Sequence, residues 1–212
     1  TLAQLNFFAP VHLTANPDIV AIYFGGLSGE TLYYPNIDLA ALVPADFDVT
    51  LRPWFVNAVS SQNTDHAAVW SEPYLDAASN GLVITTSIPV YDASGNIRGV
   101  SAMDIQLNRI TEIVSNIHVG DTGHAFLLDK DKRLIAMPAA SYKDFGITPD
   151  EFPLGNTLDQ ISPDSQDVVN KMSAGESGLV TIKINGVENF VIYQPIPEVK
   201  YSLAIVVPSQ EL

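Results

Sequence analysis

The segments GLVITTSIPVYD, residues 81–92, and IRGVSAMDI, residues 97–105, decide the fold of this chain. Both are rich in β-branched and apolar residues, and Asp-Ala-Ser-Gly at 92–95 supplies turn residues between them. A short polar turn between two such runs is typical of a β-hairpin. We therefore predict two adjacent antiparallel strands over these residues.

The residues on either side of this hairpin predict another hairpin and two helices. IVAIYFGG at 19–26 and TLYYP at 31–35 are strand-like and are joined by the turn residues LSGE. PWFVNAVS at 53–60 suits a short helix, because proline is favoured in the first helical turn. The apolar residues of 106–117 recur at helical spacing and predict a connecting helix.

The second half of the chain repeats this order of elements. HAFLLDKDKRLIAMP at 124–138 predicts a hairpin, and DVVNKMSAGESG at 167–178 predicts a short helix. LVTIKINGVENFVIYQPI at 179–196 predicts another hairpin, because Asn-Gly is the strongest short turn signal. YSLAIVVP at 201–208 predicts a final strand.

The length and the repeated pattern predict two modules, residues 1–117 and residues 118–212. A chain of 212 residues exceeds the usual size of one domain, and its 47% apolar residues suffice for a sizeable core. A hairpin, a helix and further strands, occurring twice, predict an α+β fold with two antiparallel sheets flanked by helices.

The charge and the cysteine count exclude several classes of function. Lys and Arg total 10 against 24 Asp and Glu, a formal net charge of -14, so we expect no nucleic-acid partner. Without cysteine the chain has no disulfide, thiolate metal site or cysteine nucleophile. The histidines are far apart in sequence and no phosphate-binding or nucleophile motif occurs, so we expect no metal, no cofactor and no catalytic residue.

Arg52, several aromatic residues and the acids Asp76 and Asp104 form a candidate ligand pocket between residues 47 and 104. Arg52 can clamp a carboxylate through charge-assisted hydrogen bonds, or form an ordinary salt bridge. Trp54 can donate its indole N–H to the same carboxylate, or pack in the core. Asp104 ends an apolar strand, where a carboxylate needs a partner such as a ligand ammonium or the N-terminus of the next helix.

Further residues complete this candidate pocket. Asp76 is a second candidate for the ammonium or else a turn aspartate, and the rings of Trp70 and Tyr74 attract a cation or else are plain sheet residues. The predicted ligand-binding residues are Phe47, Arg52, Trp54, Phe55, Trp70, Tyr74, Asp76 and Asp104. Together they predict a receptacle for a small zwitterion, and therefore a sensor rather than an enzyme.

Four segments together resemble a double Cache (dCache_1) sensory domain: RPWF at 52–55, SEPYLD to SAMDI at 71–105, GHAFLLDKDKRLIAMP at 123–138 and YSLAIVVP at 201–208. This family forms the extracytoplasmic part of bacterial chemoreceptors, sensor histidine kinases and related transducers. The resemblance implies two PAS-like modules, a membrane-distal one that binds the ligand and a membrane-proximal one. It also implies a long N-terminal helix, which we expect to be largely missing here.

The resemblance also bears on the ligand. Amino-acid receptors of this family resemble one another in an aromatic residue, Arg, Trp and Tyr, with a later Tyr and Asp. This chain has Phe47, Arg52, Trp54, Phe55, Tyr74, Asp76 and Asp104. The two early positions that are tyrosine in those receptors, before Arg and after Trp, are therefore the phenylalanines Phe47 and Phe55 here. An amino acid or a related amine or carboxylate is the implied ligand. One alternative ligand is a small monocarboxylate. The other alternative is that the domain binds no small molecule and docks a periplasmic partner protein.

The resemblance further implies where such a module works. It implies a cell-membrane protein whose periplasmic or extracellular part is this chain, tethered by flanking helices that lie outside it. A homodimer is expected in the full-length receptor, and a kinase or cyclase is a possible output domain.

Overall fold

The computed structural model of the chain describes residues 4–145 and 163–212. It divides the chain into two units, Thr1–Leu107 and Asn108–Leu212, which we call unit 1 and unit 2. The division falls after residue 107, whereas the sequence-based boundary was placed after residue 117. Each unit holds an antiparallel sheet with helices, which confirms the predicted fold class.

Unit 1 is built on a six-stranded antiparallel sheet with β1 and β6 at its centre. Its strands are β1 (Ile19–Gly26), β2 (Thr31–Tyr34), β3 (Val69–Trp70), β4 (Tyr74–Leu75), β5 (Leu82–Tyr91) and β6 (Ile97–Gln106). Their order is β2-β1-β6-β5-β3, and β4 also pairs with β5. The hairpins β1–β2 and β5–β6 confirm both hairpins predicted for this half.

One face of this sheet packs against helix α1, Leu5–Ala15. Leu5 and Ala9 are buried against Ile22 of β1. Because side chains alternate between the two faces of a strand, the neighbours of Ile22 in β1 point to the opposite face. Helix α1 has 11 residues.

The opposite face, which we call the inner face, is covered by helices α2 (Leu39–Leu42) and α3 (Pro53–Val59) and by the segment that joins them. Pro53 lies in the first turn of α3, where its missing N–H breaks no helical hydrogen bond, as predicted. Trp54 of α3 packs onto Tyr23 in the core of the inner face. This arrangement brings the start of α3 close to the central strands.

Unit 2 repeats the topology of unit 1. Its elements are α4 (Leu107–Ser115), β7 (His118–Val119), β8 (Gly123–Asp129), β9 (Leu134–Ala136), α5 (Pro163–Ser173), β10 (Gly178–Ile184), β11 (Val187–Ile196) and β12 (Tyr201–Pro208). The strand order is β9-β8-β12-β11-β10, and β7 also pairs with β8. In unit 1 the last strand, β6, lies between β1 and β5. In unit 2 the last strand, β12, lies between β8 and β11 in the same way.

The hairpins predicted for the second half are confirmed as β8–β9 and β10–β11. The helix predicted at 167–178 begins earlier, at Pro163, and ends before Gly175. Gly175 has a φ of 77°, a left-handed conformation that favours glycine and stops a helix. Among the residues that the structure describes, no helix is both long and apolar enough to span a membrane.

Candidate ligand-binding site

A narrow cavity lies in unit 1 between the inner face of the sheet and the segments that cover it. Its wall consists of Tyr23, Thr31, Tyr33, Leu39, Phe47, Val49, Arg52, Trp54, Tyr74, Asp76, Ala77 and Ala78. The cavity volume is about 30 Å³, which is room for two or three water molecules at most. A larger guest must extend into the open mouth of the cavity or move the wall side chains apart.

Arg52 is held at the start of α3 by three contacts. Its Nη2 donates a hydrogen bond of 2.9 Å to the backbone carbonyl of Leu75. The guanidinium carbon lies 5.1 Å from the centroid of the Tyr74 ring and 5.7 Å from that of Phe47. The guanidinium is planar and carries several donors, a geometry that suits bidentate binding of a carboxylate.

Aromatic rings form the floor of the cavity. The ring of Tyr23 stacks on that of Tyr33, with centroids 5.2 Å apart, and meets the edge of Trp54 at 5.0 Å. Trp54 is 4% exposed and Ser87 Oγ donates to its carbonyl at 2.7 Å, so its backbone and ring are both fixed. A Cβ on Gly25 would come within 2.7 Å of Trp54 Cη2, so glycine is needed beneath the indole.

Asp104 lies behind this wall and reaches it through hydroxyl groups. Its Oδ1 accepts hydrogen bonds from Tyr23 Oη at 2.7 Å and from Thr85 Oγ1 at 2.6 Å. Thr85 Oγ1 is in turn 2.7 Å from Tyr74 Oη. The Oδ2 atom of Asp104 is buried and has no hydrogen-bond partner among the described residues.

The environment of Asp104 favours its neutral form. Burial is the main cause and raises the pKa of its carboxyl to about 7, while the bonds from Thr85 and Tyr23 act in the opposite direction. The charge of Asp76 adds to the increase and that of Arg52 reduces it. Burial likewise raises the pKa of the Tyr23 hydroxyl well above its usual range, so that group stays protonated.

Asp76 lies on the cavity wall and is oriented by Asn80. Its Oδ2 accepts hydrogen bonds from the Asn80 backbone N–H at 3.2 Å and from Asn80 Nδ2 at 2.8 Å. Asn80 Nδ2 also donates to Tyr33 Oη at 3.0 Å, and the Asn80 carbonyl accepts from Gln106 Nε2 at 2.8 Å. Asn80 thus joins the loop after β4 to strands β2 and β6.

The structure brings most of the predicted site residues together. Those on the cavity wall are Phe47, Arg52, Trp54, Tyr74 and Asp76. Asp104 is 0% exposed and connects to the wall through Tyr23 and Thr85.

Two predicted site residues are not part of the wall. Phe55 is buried in the core beside Trp54, with ring centroids 5.5 Å apart. Trp70 lies in the edge strand β3, where its carbonyl accepts from Asn57 Nδ2 at 3.4 Å. Phe55 belongs to the core of the inner face. Trp70 follows Val69, which packs on that core, so the Trp70 side chain points to the opposite face of the sheet.

Several wall residues had not been singled out from the sequence. They include Tyr23 of β1 and Thr31 and Tyr33 of β2. The period-two alternation of β1 and β2 was a usable signal, since it puts Tyr23 and Tyr33 on one face of the sheet. Their partners depend on the pairing of β1 with β6, a strand about 80 residues later in the sequence. A local sequence pattern does not determine the register of such a distant pairing.

Comparison with known sequences places this chain among sensory domains. The family dCache_1, described as Cache domain, matches residues 12–212. The methyl-accepting chemotaxis protein McpC of Bacillus subtilis is 33% identical over 171 residues, which cover 77% of this chain and 24% of McpC. TlpB of the same organism is 35% identical over 127 residues, 60% of this chain and 18% of TlpB. The chain therefore spans a quarter or less of the length of these relatives.

Solved structures of chemoreceptor ligand-binding domains share the fold. That of CtaA from Pseudomonas fluorescens, in complex with L-alanine, has a TM-score of 0.64 at 22% identity and covers 94% of this chain and 76% of its own. That of PctB from Pseudomonas aeruginosa, in complex with L-Arg, has a TM-score of 0.59 at 21% identity, over 97% and 73%. At these identities the likeness extends to the fold.

Proposed function

The chain belongs to the dCache_1 family of Cache domains, and on this basis we propose that unit 1 is the amino-acid-binding module of a chemoreceptor. The observation that carries the proposal is the charge arrangement of the cavity wall. Arg52 supplies a cation, Asp76 supplies an anion, and aromatic rings lie between them. The presence of amino acids in the matched domains of CtaA and PctB supports the same ligand class.

The proposed binding mode uses both charged groups of an amino acid. The ligand carboxylate replaces the Leu75 carbonyl as the hydrogen-bond acceptor of Arg52. Trp54 lies beside Arg52 on the same cavity wall. The ligand ammonium is directed to Asp76 and to the tyrosines that lead to Asp104. Because the cavity is narrow, binding widens it, and that movement is the source of the signal.

The two units have different proposed roles. Unit 1 is the membrane-distal, ligand-binding module and unit 2 the membrane-proximal one, both on the periplasmic or extracellular side of the cell membrane. Flanking helices outside this chain tether it, and the full-length receptor is a homodimer. Binding involves no chemical step; it shifts the population of two conformations by the ligand's preference for one of them.

A ligand screen tests this function. We expect one or more of the 20 protein amino acids to raise the melting temperature and to bind with 1:1 stoichiometry in calorimetry, since a ligand of the native state stabilises it. Arg52→Ala should lower the affinity at least about a hundredfold, as expected when the hydrogen-bonded charge partner of the ligand carboxylate is removed. Arg98→Ala is the matched control, because Arg98 is exposed on β6 and should leave binding unchanged.

The other outcomes separate the alternatives. Binding of acetate, lactate or pyruvate without any amino acid would identify a monocarboxylate sensor in which Asp104 is structural. Equal affinity of the wild type and Arg52→Ala would overturn the assignment of the carboxylate end. No small-molecule binding at all would favour a module that docks a periplasmic protein.

A further inference from the structure

The hydrogen bonds around Asp104 have a fixed direction when this residue is ionised. A carboxylate only accepts, so Tyr23 and Thr85 must both donate to Oδ1. The single hydroxyl hydrogen of Thr85 is then used, so Tyr74 must donate to Thr85 Oγ1. Both phenol hydrogens are therefore directed to Asp104 and Thr85. The oxygens of Tyr23 and Tyr74, which also interact with each other, still offer lone pairs to a donor in the cavity.

Among the described residues, no basic side chain forms an ion pair with Asp104. It is 0% exposed, one of its oxygens has two hydroxyl donors, and the other has none among the residues that the structure describes. A buried carboxylate without an ion-pair partner is costly, which is why burial raises the pKa of Asp104 to about 7. The acid form is thus well populated at neutral pH.

The groups that face Asp104 come from every element around it. They are Tyr23 of β1, Tyr33 of β2, Arg52 before α3, Tyr74 of β4 and Asp76 after β4. The three phenols have raised pKa values and remain neutral, first of all because they are buried. Between the charged groups, Asp76 raises the pKa of Asp104 more than Arg52 lowers it. The site thus has a deficit of positive charge that a ligand ammonium can fill.

We propose that the ammonium of an amino-acid ligand donates to the oxygens of Tyr23 and Tyr74 and drives Asp104 from the carboxylic acid to the carboxylate, with release of one proton to solvent. The O–H bond of the acid breaks, the proton passes to water or buffer, and no other covalent bond changes. This inference rests on the proposed function. It adds Tyr23 and Thr85 as residues that determine specificity for an amine-bearing ligand.

The sign of the pH dependence follows from this exchange. Below the pKa of Asp104 the ligand must displace a proton, so its affinity falls as the pH falls. With a pKa of about 7, affinity at pH 5 should be about a hundredfold lower than above pH 8. A carboxylic acid that lacks the amine has no ammonium to exchange for the proton and should bind without releasing one.

Calorimetry in paired buffers tests the proton release. The probe is the amino acid that binds most tightly among the 20, and the comparison is the same compound without its amino group. Titrations at pH 6 in phosphate and in Bis-Tris, whose ionisation enthalpies differ, give the number of protons released. We expect about 0.9 protons per bound amino acid at pH 6 and about 0.1 at pH 8.

Three variants assign the proton to Asp104. Asp104→Asn should bind more weakly, with no proton release and no pH dependence between pH 5 and 8. Asp46→Asn, an exposed acid outside the cavity wall, should behave as the wild type. Thr85→Val removes one donor to Asp104 and keeps both phenol oxygens, so it raises the pKa of Asp104 and should increase proton release at pH 8. This last variant decides the matter if Asp104→Asn does not fold.

The outcomes distinguish this inference from the function on which it rests. Tight amino-acid binding with equal heats in both buffers at pH 6 would overturn the proton exchange and leave the proposed function intact. Unchanged proton release in Asp104→Asn would place the titrating group elsewhere and also overturn it. Failure of every amino acid to bind would overturn both.

Discussion

The sheets of unit 1 and unit 2 have the same topology and very different inner faces. They can be aligned on one cross-strand pair in each, Tyr23 opposite Ala102 and Phe126 opposite Ala204. In unit 2 this face is filled by a continuous cluster of buried apolar side chains from the strands and α5. In unit 1 it is interrupted by a cavity and by buried polar groups.

The alignment shows where the chemistry differs. In this alignment Asp104 of β6 corresponds to Val206 of β12, and Thr85 of β5 corresponds to Val191 of β11. Thr85 is the cross-strand partner of Asp104, and Val191 is the cross-strand partner of Val206. All four side chains are at most 2% exposed, so the difference lies in polarity rather than in burial. Unit 2 shows that this topology packs well with valine there, so folding alone does not require the acid of unit 1.

The largest effect should come from emptying the core of unit 2. Phe126→Ala removes a ring that is 1% exposed, and we expect a loss of about 3–5 kcal/mol in the free energy of unfolding. Urea denaturation measures it. Ligand affinity, measured well below the unfolding transition, should stay within a factor of about three. A loss of stability below about 1 kcal/mol would contradict the view of unit 2 as a packed core.

The second effect is a pH dependence of stability confined to unit 1. The pKa of Asp104 rises from 3.8 to about 7 on folding, so its contribution to stability is complete below pH 4 and is lost as the pH rises to 7. The full difference is about 4 kcal/mol. The measurement is the unfolding free energy of the wild type relative to Asp104→Asn between pH 4 and 8; a difference that is flat with pH would show that Asp104 is ionised throughout.

The third effect concerns the fit between Gly25 and Trp54. Gly25→Ala places a methyl group 2.7 Å from Trp54 Cη2, so the indole must shift, and we expect amino-acid affinity to fall about tenfold. Trp54→Phe removes the atom that clashes. In that variant, Gly25→Ala should therefore cause a smaller loss of affinity and of melting temperature. A double-mutant cycle on affinity and melting temperature measures this coupling, and strictly additive effects would show that the two residues act independently.

The smallest effect should come from Asn80. Asn80→Ala removes the side-chain bonds to Asp76 and Tyr33, and we expect about a fivefold loss of affinity from the poorer orientation of Asp76. Asn36→Ala, at an exposed position, is the matched control for titration calorimetry. Loss of affinity equal in both variants would exclude a specific role for Asn80.

The comparison of the units also explains what could be read from the sequence. Hairpins and the start of α3 were predictable, because turn residues and Pro53 act over a few positions. The family pattern predicts Arg52, Trp54, Tyr74 and Asp76 as neighbours, and the structure places all four on the wall of one cavity.

What could not be predicted is the network behind that wall. Tyr23 and Asp104 are 81 residues apart, and their contact depends on the register of β1 against β6. A shift of one residue would have turned Tyr23 to the α1 face of the sheet. For the same reason, no local sequence pattern indicates that hydroxyl groups separate Asp104 from the cavity.

The most direct test is a crystal structure of this chain with the most tightly bound amino acid. The account predicts one ligand, in unit 1, with its carboxylate on Arg52, its ammonium within hydrogen-bond distance of Tyr23 and Tyr74, and the bond from Arg52 to Leu75 broken. A ligand in unit 2, or one in unit 1 with its carboxylate away from Arg52, would contradict it.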